Sequence, residues 1–357
     1  MCARIAIVYN QPEVSRYSAM GEEGAVNGVL DAVKAVETAI KELKHEILML
    51  PLLPPAEEIK TKLAELHADL IFNLFEGFDG KPETEALVPE FADQLRIPYT
   101  GCPSSVLMLA LDKARAKSLL KSAGIRTPDF QVLDPKTLSE FRLIYPCIVK
   151  PRAEDASHGL SAESVVNDSV ALKRQVEKIS AAYGGDALVE EFVDGREFNA
   201  SGFGNRRPVV LPISEMEFYL PDNLPKVLTY DAKWNEGSPY FHATKAVCPA
   251  NITPTQRRTI ATVVLKVFRL FGCRAYARVD MRMDFDGKIH IIEVNPNPDI
   301  SPGTGAARQS AAAGMSYTDF IGKIIQFAWE PTNEPNNHPP TPSGGQAIGN
   351  PHTAEHT

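Results

Sequence analysis

Residues 277–302 read ARVDMRMDFDGKIHIIEVNPNPDISP, and this stretch decides the fold. From residue 277 to 285, apolar residues (Ala277, Val279, Met281, Met283, Phe285) alternate with charged ones (Arg278, Asp280, Arg282, Asp284). That is the period-two signature of a half-buried strand. Asp286-Gly287 supplies the two positive-φ residues of a type I′ turn, so the spacing predicts a hairpin closed by two residues. In that register Asp280 faces Glu293 and Arg278 faces Asn295, with opposed Cβ atoms roughly 4.5–5.5 Å apart. Val279, Met281 and Met283 face Val294, Ile292 and His290 on the other side. Two opposed carboxylates repel unless a cation lies between them, and hard oxygen donors of this kind suit Mg²⁺ held jointly with phosphates. The plainer alternative is a solvated charged face on which Arg278 and Arg282 neutralise the acids.

Composition bounds what surrounds the hairpin. The 357 residues suffice for two or three packed units, and 44% hydrophobic with 23% charged residues is ordinary for a globular chain. A net charge of −8 argues against nucleic acid or an anionic membrane as the main partner. Five scattered cysteines without a CxxC favour free thiols over a zinc site. No apolar run approaches the ~18 residues of a membrane span, and the expected location is the cytoplasm.

Upstream, strands at 5–9, 46–50, 70–75 and 98–100 alternate with helices at 26–43, 56–66 and 84–95, which predicts a parallel sheet covered by helices. Ligands of such sheets sit beyond the carboxyl ends of the strands, so the loops after Tyr9 and Phe75 are candidate substrate loops. Glu22 and Glu23 are substrate candidates there, although an acidic first helical turn is the commoner explanation of such a pair. Next come a helix at 113–123, strands at 129–133 and 147–151, and a small polar loop at 154–160. A helix at 170–182 capped by Asn167 or Asp168 follows, then an apolar strand at 187–193. Residues 205–300 predict antiparallel strands broken by a long polar loop, 229–245, of a length that is usually functional. Thr253-Pro254 opens a helix that ends before Gly272, and a last helix spans 315–328. Residues 331–357, rich in Pro, Asn, Gly and Thr, read as a disordered tail.

The motifs IPYTG (97–101), LDKARAK (111–117), IVKPRAEDASHGLS (148–161), LVEEFVDGREF (188–198), YDAKW (230–234), the hairpin itself and AAGMSYTDFI (312–321) occur in this order. Taken together the chain resembles the ATP-grasp superfamily, and within it the D-alanine–D-alanine ligase family. The resemblance implies an α/β (ATP-grasp, α+β) fold. It divides into an N-terminal parallel domain over 1–103, an ATP-grasp subdomain with the phosphate loop over 104–194, and a catalytic subdomain with antiparallel sheet over 195–330. It further implies that Lys113 and Lys150 contact the phosphates of ATP, that Glu190, Glu191, Phe192 and Val193 form the adenine segment, and that Glu197 binds the ribose. Ser157, His158 and Gly159 would close over the phosphates, and Lys233 would reach them from a lid. Asp280, Glu293 and Asn295 would hold two Mg²⁺ ions, with Mn²⁺ an acceptable substitute. Arg278 would hold the acceptor carboxylate and stabilise a tetrahedral intermediate. The implied reaction joins two small amino-acid-like substrates through an acylphosphate, and the family is compatible with a homodimer.

The first-substrate residues depart from the family pattern. After the first strand stands Asn10-Gln-Pro-Glu-Val-Ser in place of a glycine-rich loop with an acid, and Glu76-Gly77 replaces a His-Gly. Ala156 stands where a serine is expected, Trp234 where a tyrosine is, and Asp299 where a glycine is. With Thr304, the residues Glu22, Glu23, Glu76, Trp234 and Asp299 are the candidate substrate contacts. Their charge hints at a cationic or amine-bearing substrate. The competing expectations are a true D-alanine–D-alanine ligase and a non-catalytic, ATP-binding regulatory protein.

Overall fold

A computed structural model describes residues 2–13, 23–78, 80–154 and 157–330. Glu22, Ala156 and the expected tail at 331–357 lie outside the described residues, as does the side chain of Glu23. Three sheets organise the chain. In the first, β1 (Arg4–Asn10) lies between β2 (Glu46–Leu52) and β3 (Leu70–Leu74), all parallel. The helices Glu23–Glu42 and Ile59–Glu65 make the crossovers that parallel pairing requires. The strand expected at 98–100 shrinks to one bridge, Tyr99 to Ile71. Pro98 has no N–H to give a ladder, and Gly101 (φ +86°) turns the chain away.

The second sheet is antiparallel, in the order β4 (Phe130–Leu133), β7 (Ala187–Glu191), β5 (Cys147–Pro151), β6 (Val165–Val166). The helix Ser169–Tyr183 covers it, burying Leu172, Val176 and Ile179 against Val149 and Val189. Of the two candidate caps, Asp168 does the work: its Oδ1 accepts from the amides of Val170 and Ala171 at 2.9 and 2.8 Å.

The third sheet runs β11 (Thr244–Val247), β10 (Ser214–Phe218), β8 (Arg196–Phe203), β12 (Tyr276–Met283), β13 (Ile289–Asn295), with β9 (Val209–Val210) on β8. The helix Pro254–Phe271 backs it with Ile260, Val264, Val267 and Phe268. It opens on a Thr253–Gln256 capping box and ends on Gly272 in the left-handed region. The stretch expected as a loop at 229–245 instead holds two short helices, Tyr230–Trp234 and Pro239–Ala243, capped by the hydroxyls of Thr229 and Ser238. A further helix, Gly305–Ala312, precedes the last one, Tyr317–Trp329. The first and third sheets share a core, in which Ile5, Ile7 and Phe72 pack with Phe203, Tyr276, Ile300 and Phe320. No described helix is long and apolar enough to cross a membrane.

The hairpin corrects its expected turn. Asp284 pairs with Lys288 through Asp284 N–H to Lys288 O at 3.0 Å, so the loop is the three residues Phe285-Asp286-Gly287, with Gly287 at φ +77°. Met283 therefore faces Ile289 and Met281 faces Ile291, not His290 and Ile292. The count is restored by a bulge: Ile292 is an extra residue opposite the Asp280–Met281 link, beyond which Asp280 faces Glu293 and Arg278 faces Asn295 as expected. The reason is hydrophobic phase. A straight ladder would send His290 into the core, whereas the bulge buries Ile289, Ile291 and Val294 together and leaves His290 Nε2 against Asp284 Oδ2 at 2.9 Å.

Gly195 closes the tight turn between β7 and β8 at φ +137°, and a Cβ there would stand 2.1 Å from the Met283 carbonyl oxygen. Backbone on both sides leaves nothing that yields. Gly195→Ala is expected to cost about 2–3 kcal/mol, read as a lower urea midpoint at unchanged slope.

Candidate active site

Between the second and third sheets lies a cleft of about 920 Å³. The hairpin supplies one end of it. Arg278 and Asp280, two apart on β12, point the same way from the pleat and form a bidentate pair, Nε to Oδ1 at 2.7 Å and Nη2 to Oδ2 at 2.8 Å. Asn295 Nδ2 donates to the same Oδ2 at 2.9 Å. Burial would lower the guanidinium's pKa, but Asp280, Glu293 and Asp299 together push it above its usual value. Glu293, with its Oε1 sealed from solvent, lies 2.6 Å from the Lys113 ammonium. Burial pushes the Glu293 carboxyl up, and Lys113, Lys150 and Arg278 outweigh it to hold the group at about 2. Lys113 also donates to the Glu154 carbonyl at 2.6 Å. Of the solvated-face alternative only the Arg278–Asp280 pair is found. Arg282 faces Glu197 instead, and Arg278, Asp280 and Glu293 are half-buried in the cleft.

Among the described residues no three His, Cys, Asp or Glu side chains gather as a metal cluster. The donor set is two carboxylates and one carboxamide, facing the cleft from adjacent strands. Three hard oxygens with room for phosphate oxygens and water fit Mg²⁺, and the sealed Glu293 Oε1, which already faces the Lys113 ammonium, is suited to a cation.

The other end is built by the end of β7. Glu190 is 1% exposed, and its Oε1 lies 2.9 Å from Lys150 Nζ and 3.1 Å from Lys117 Nζ. Lys150, expected on phosphates, thus rests on a carboxylate at the floor of the cleft. Burial draws Lys117 down to about 8, against the opposing pull of Glu190. Glu191, Phe192 and Val193 continue along the cleft wall. The backbone there is held by Glu191 N–H to Asp129 O and Phe192 N–H to Pro146 O, at 2.9 and 2.8 Å. Across from it, burial raises the Glu197 carboxyl, partly countered by Arg282 3.9 Å away. Arg282 stacks over Phe192 at 4.8 Å and donates from Nη2 to Lys226 O at 2.7 Å. The bulge turns Ile292 into this same cleft as an apolar wall.

The loop at 157–160 and the segment at 228–234 meet over the opening. Ser157 Oγ donates to Leu228 O at 3.1 Å, and Tyr230 N–H to Leu160 O at 3.0 Å. His158 stacks on Tyr230 with ring centres 5.6 Å apart. Lys233, on the helix after Thr229, faces the cleft, and burial with Arg278 lowers its ammonium pKa. Gly159 does not line the cleft: at φ +74° it packs against the helix Ser169–Tyr183, where a Cβ would meet Tyr183 at 2.8 Å.

At the end near the first sheet, Glu76 N–H donates to Asn10 Oδ1 at 2.7 Å. Asn297 Nδ2 donates to Phe75 O and Glu85 Oε1 at 3.1 and 2.9 Å, binding the segment after β13 to the loop after β3. Asp299 and Thr304 reach the cleft but are used partly by their own turn: Asp299 Oδ1 accepts from Ser301 N–H at 2.7 Å, and Thr304 Oγ1 donates to Ser301 O at 2.8 Å. Trp234 divides the cleft from a neighbouring groove of about 700 Å³ and rests against Gly28. Lys117, Arg282, Glu85 and Asn297 were not singled out from sequence. Only Lys117 left a usable signal, being one helical turn beyond Lys113.

A family model described as D-ala D-ala ligase C-terminus matches residues 119–326. Uncharacterized protein y4sG of Sinorhizobium fredii is 32% identical over 82% of this chain and 86% of its own length. A D-alanine–D-alanine ligase of Haemophilus influenzae is 28% identical over 77% of this chain and 89% of its own. The crystal structure of a D-alanine–D-alanine ligase from Bacillus anthracis complexed with ATP superposes at a TM-score of 0.69 with 20% identity, covering 92% of this chain and 97% of that one.

Proposed function

Since this chain belongs to the D-alanine–D-alanine ligase family of ATP-grasp, C–N bond-forming ligases, we propose that it is an ATP- and Mg²⁺-dependent carboxylate–amine ligase joining two small amino-acid-like molecules. The observation that carries this reading is the convergence, in one cleft, of the Arg278–Asp280–Asn295–Glu293 hairpin with the ammonium groups of Lys113, Lys150 and Lys233.

In the proposed reaction one substrate's carboxylate oxygen attacks the γ-phosphorus of ATP in line, the bond to the β-phosphate oxygen breaks, and ADP leaves. The amine of the second substrate then attacks the acyl carbon, loses its proton, and phosphate departs with the C–O electron pair. Lys113, Lys150 and Lys233 position the phosphates as point charges. Asp280, Glu293 and Asn295 would hold Mg²⁺, which when bound lowers the charge on the phosphates. The adenine is read along Glu190–Val193 and the ribose by Glu197. Arg278 holds the acceptor carboxylate and stabilises the oxyanion. Ser157 and His158, closed against the lid, keep water from the acylphosphate.

The substrate pair is proposed to differ from two D-alanines. Glu13, Glu76 and Glu85 line the end of the cleft near the first sheet, and Trp234 and Asp299 stand where the family has tyrosine and glycine. This supports a cationic or amine-bearing first substrate. Phosphate release from Mg²⁺–ATP, screened over pairs of amino acids, tests the reading. Turnover only with a pair other than D-alanine and D-alanine is the expected result. Turnover with D-alanine alone would make it a true D-alanine–D-alanine ligase, and tight ATP binding with no turnover on any pair would favour a non-catalytic role.

A further inference from the structure

The helix Lys113–Ser122 carries two buried lysines one turn apart, and they face different places. Lys113 lines the cleft, whereas Lys117 does not. The Lys117 side chain is 1% exposed, its Nζ lies 3.1 Å from Glu190 Oε1, and it donates to Thr127 Oγ1 at 2.9 Å. Thr127 Oγ1 in turn donates to Ile291 O at 2.7 Å, beside the bulge of β13. Ile291 N–H closes the link by donating to Arg126 O at 2.9 Å. One polar chain thus runs from the hairpin through Lys117 to the oxygen of Glu190 that Lys150 also touches, at 2.9 Å.

An ammonium held this far from water is costly unless its site uses the charge, and an apolar side chain of similar length would pack there at less cost. We propose that Lys117 is a positioning residue for the nucleotide: the fixed counter-ion of Glu190, which holds that carboxylate so that Oε2 presents an acceptor to the exocyclic amine of adenine. The proposal rests on the reading of Glu190 as the base-reading residue. It explains why two cations share one oxygen. Lys150 lines the cleft and is drawn to the phosphates of a bound nucleotide, and a sole partner that turned away would strand a buried anion. Lys117 has no route to the nucleotide and stays. Guanine presents an oxygen where adenine presents the amine, so a carboxylate fixed at this point rejects it.

The test is calorimetric binding of Mg²⁺–ATP and Mg²⁺–GTP to the full chain, for wild type, Lys117→Met, Glu190→Gln and the double variant. Lys117→Met is expected to weaken ATP about tenfold and to reduce the ATP-over-GTP preference, as loss of a charged hydrogen bond would. In the Glu190→Gln background, where no anion needs holding, it should add less than about twofold. Equal weakening of ATP and GTP, or the same tenfold loss in both backgrounds, would mean a merely structural lysine and overturns the proposal. If Lys117→Met does not fold, Glu190→Gln is compared with the double variant: equal affinities support the proposal, and a further tenfold loss overturns it. Glu190→Gln without effect on affinity or preference overturns the base-reading role and this proposal with it. Glu190→Gln acting while Lys117→Met does not overturns the role of Lys117 alone.

Discussion

Asp280→Asn is expected to lower turnover by at least about 100-fold while weakening ATP no more than about threefold. The substitution keeps the shape of the side chain and removes its charge. Asp280 holds Arg278 through two hydrogen bonds and accepts a third from Asn295, so the loss is felt at three of the groups proposed for the reaction. The proposed cation site loses one of its two carboxylates, and Arg278 loses the partner that fixes its plane. The proposed nucleotide end, built from Glu190–Val193 and Glu197, is held by other bonds and is spared. Phosphate release at saturating Mg²⁺, set beside calorimetric ATP binding, separates the two effects. Wild-type turnover in this variant would remove Asp280 from the metal site.

Arg278→Lys comes next in size. Lysine keeps one positive charge but loses the planar fork that meets a carboxylate with two bonds. Arg278 packs against Gly305, the first residue of the helix Gly305–Ala312, where a Cβ would come 3.4 Å from both Cδ and Nη1. Guanidinium and helix N-terminus therefore stand together, a pairing suited to a carboxylate or an oxyanion. Amide formation is expected to fall about 100-fold with ATP affinity unchanged, and ADP should now form faster than amide, because an unheld acceptor leaves the acylphosphate to water. A one-to-one ratio of ADP to amide at the wild-type rate would rule out Arg278 as the acceptor's anchor.

Much of the site was legible in the sequence because it depends on local periodicity. A two-residue turn with an unbroken ladder put Asp280 opposite Glu293 and Arg278 opposite Asn295, and that pairing is found because the longer loop and the bulge offset each other. The turn was misjudged because Asp-Gly serves two loop geometries. What separates them is the position of the buried residues along β13, where apolar phase changes between Ile291 and Val294. The helices at Tyr230–Trp234 and Pro239–Ala243 are too short to show a helical period, although their capping hydroxyls were in plain view. The helix Gly305–Ala312 is mostly Ala, Ser and Gly, and is held by Gln309, whose Oε1 accepts from Ser201 N–H at 2.8 Å while its Nε2 donates to Asn199 Oδ1 at 2.8 Å. Such bonds join residues far apart in the chain and leave no local pattern. Lys117 left only its place one helical turn beyond Lys113, and a lysine reads as surface until its partner is known.

The bulge at Ile292 has a use for protein engineering. Between it and the tip, the hairpin carries the core residues Met281, Met283, Ile289 and Ile291, Arg282 at the cleft, the His290–Asp284 pair and the exposed loop, where Phe285 is 86% exposed. Along its whole length β12 is fastened on its far side to β8, with Asp280 opposite Asn199 and Met283 opposite Arg196, and just tipward of the bulge Ile291 is tied to Arg126 and Thr127. The half of the hairpin that carries Arg278, Asp280, Glu293 and Asn295 thus takes its alignment from its neighbours as well as from its own turn. Loop tips of this kind tolerate foreign sequence, so a dye, an affinity handle or a surface linker grafted at residues 285–287 would hang from the third sheet itself while leaving the paired residues of the proposed site in register.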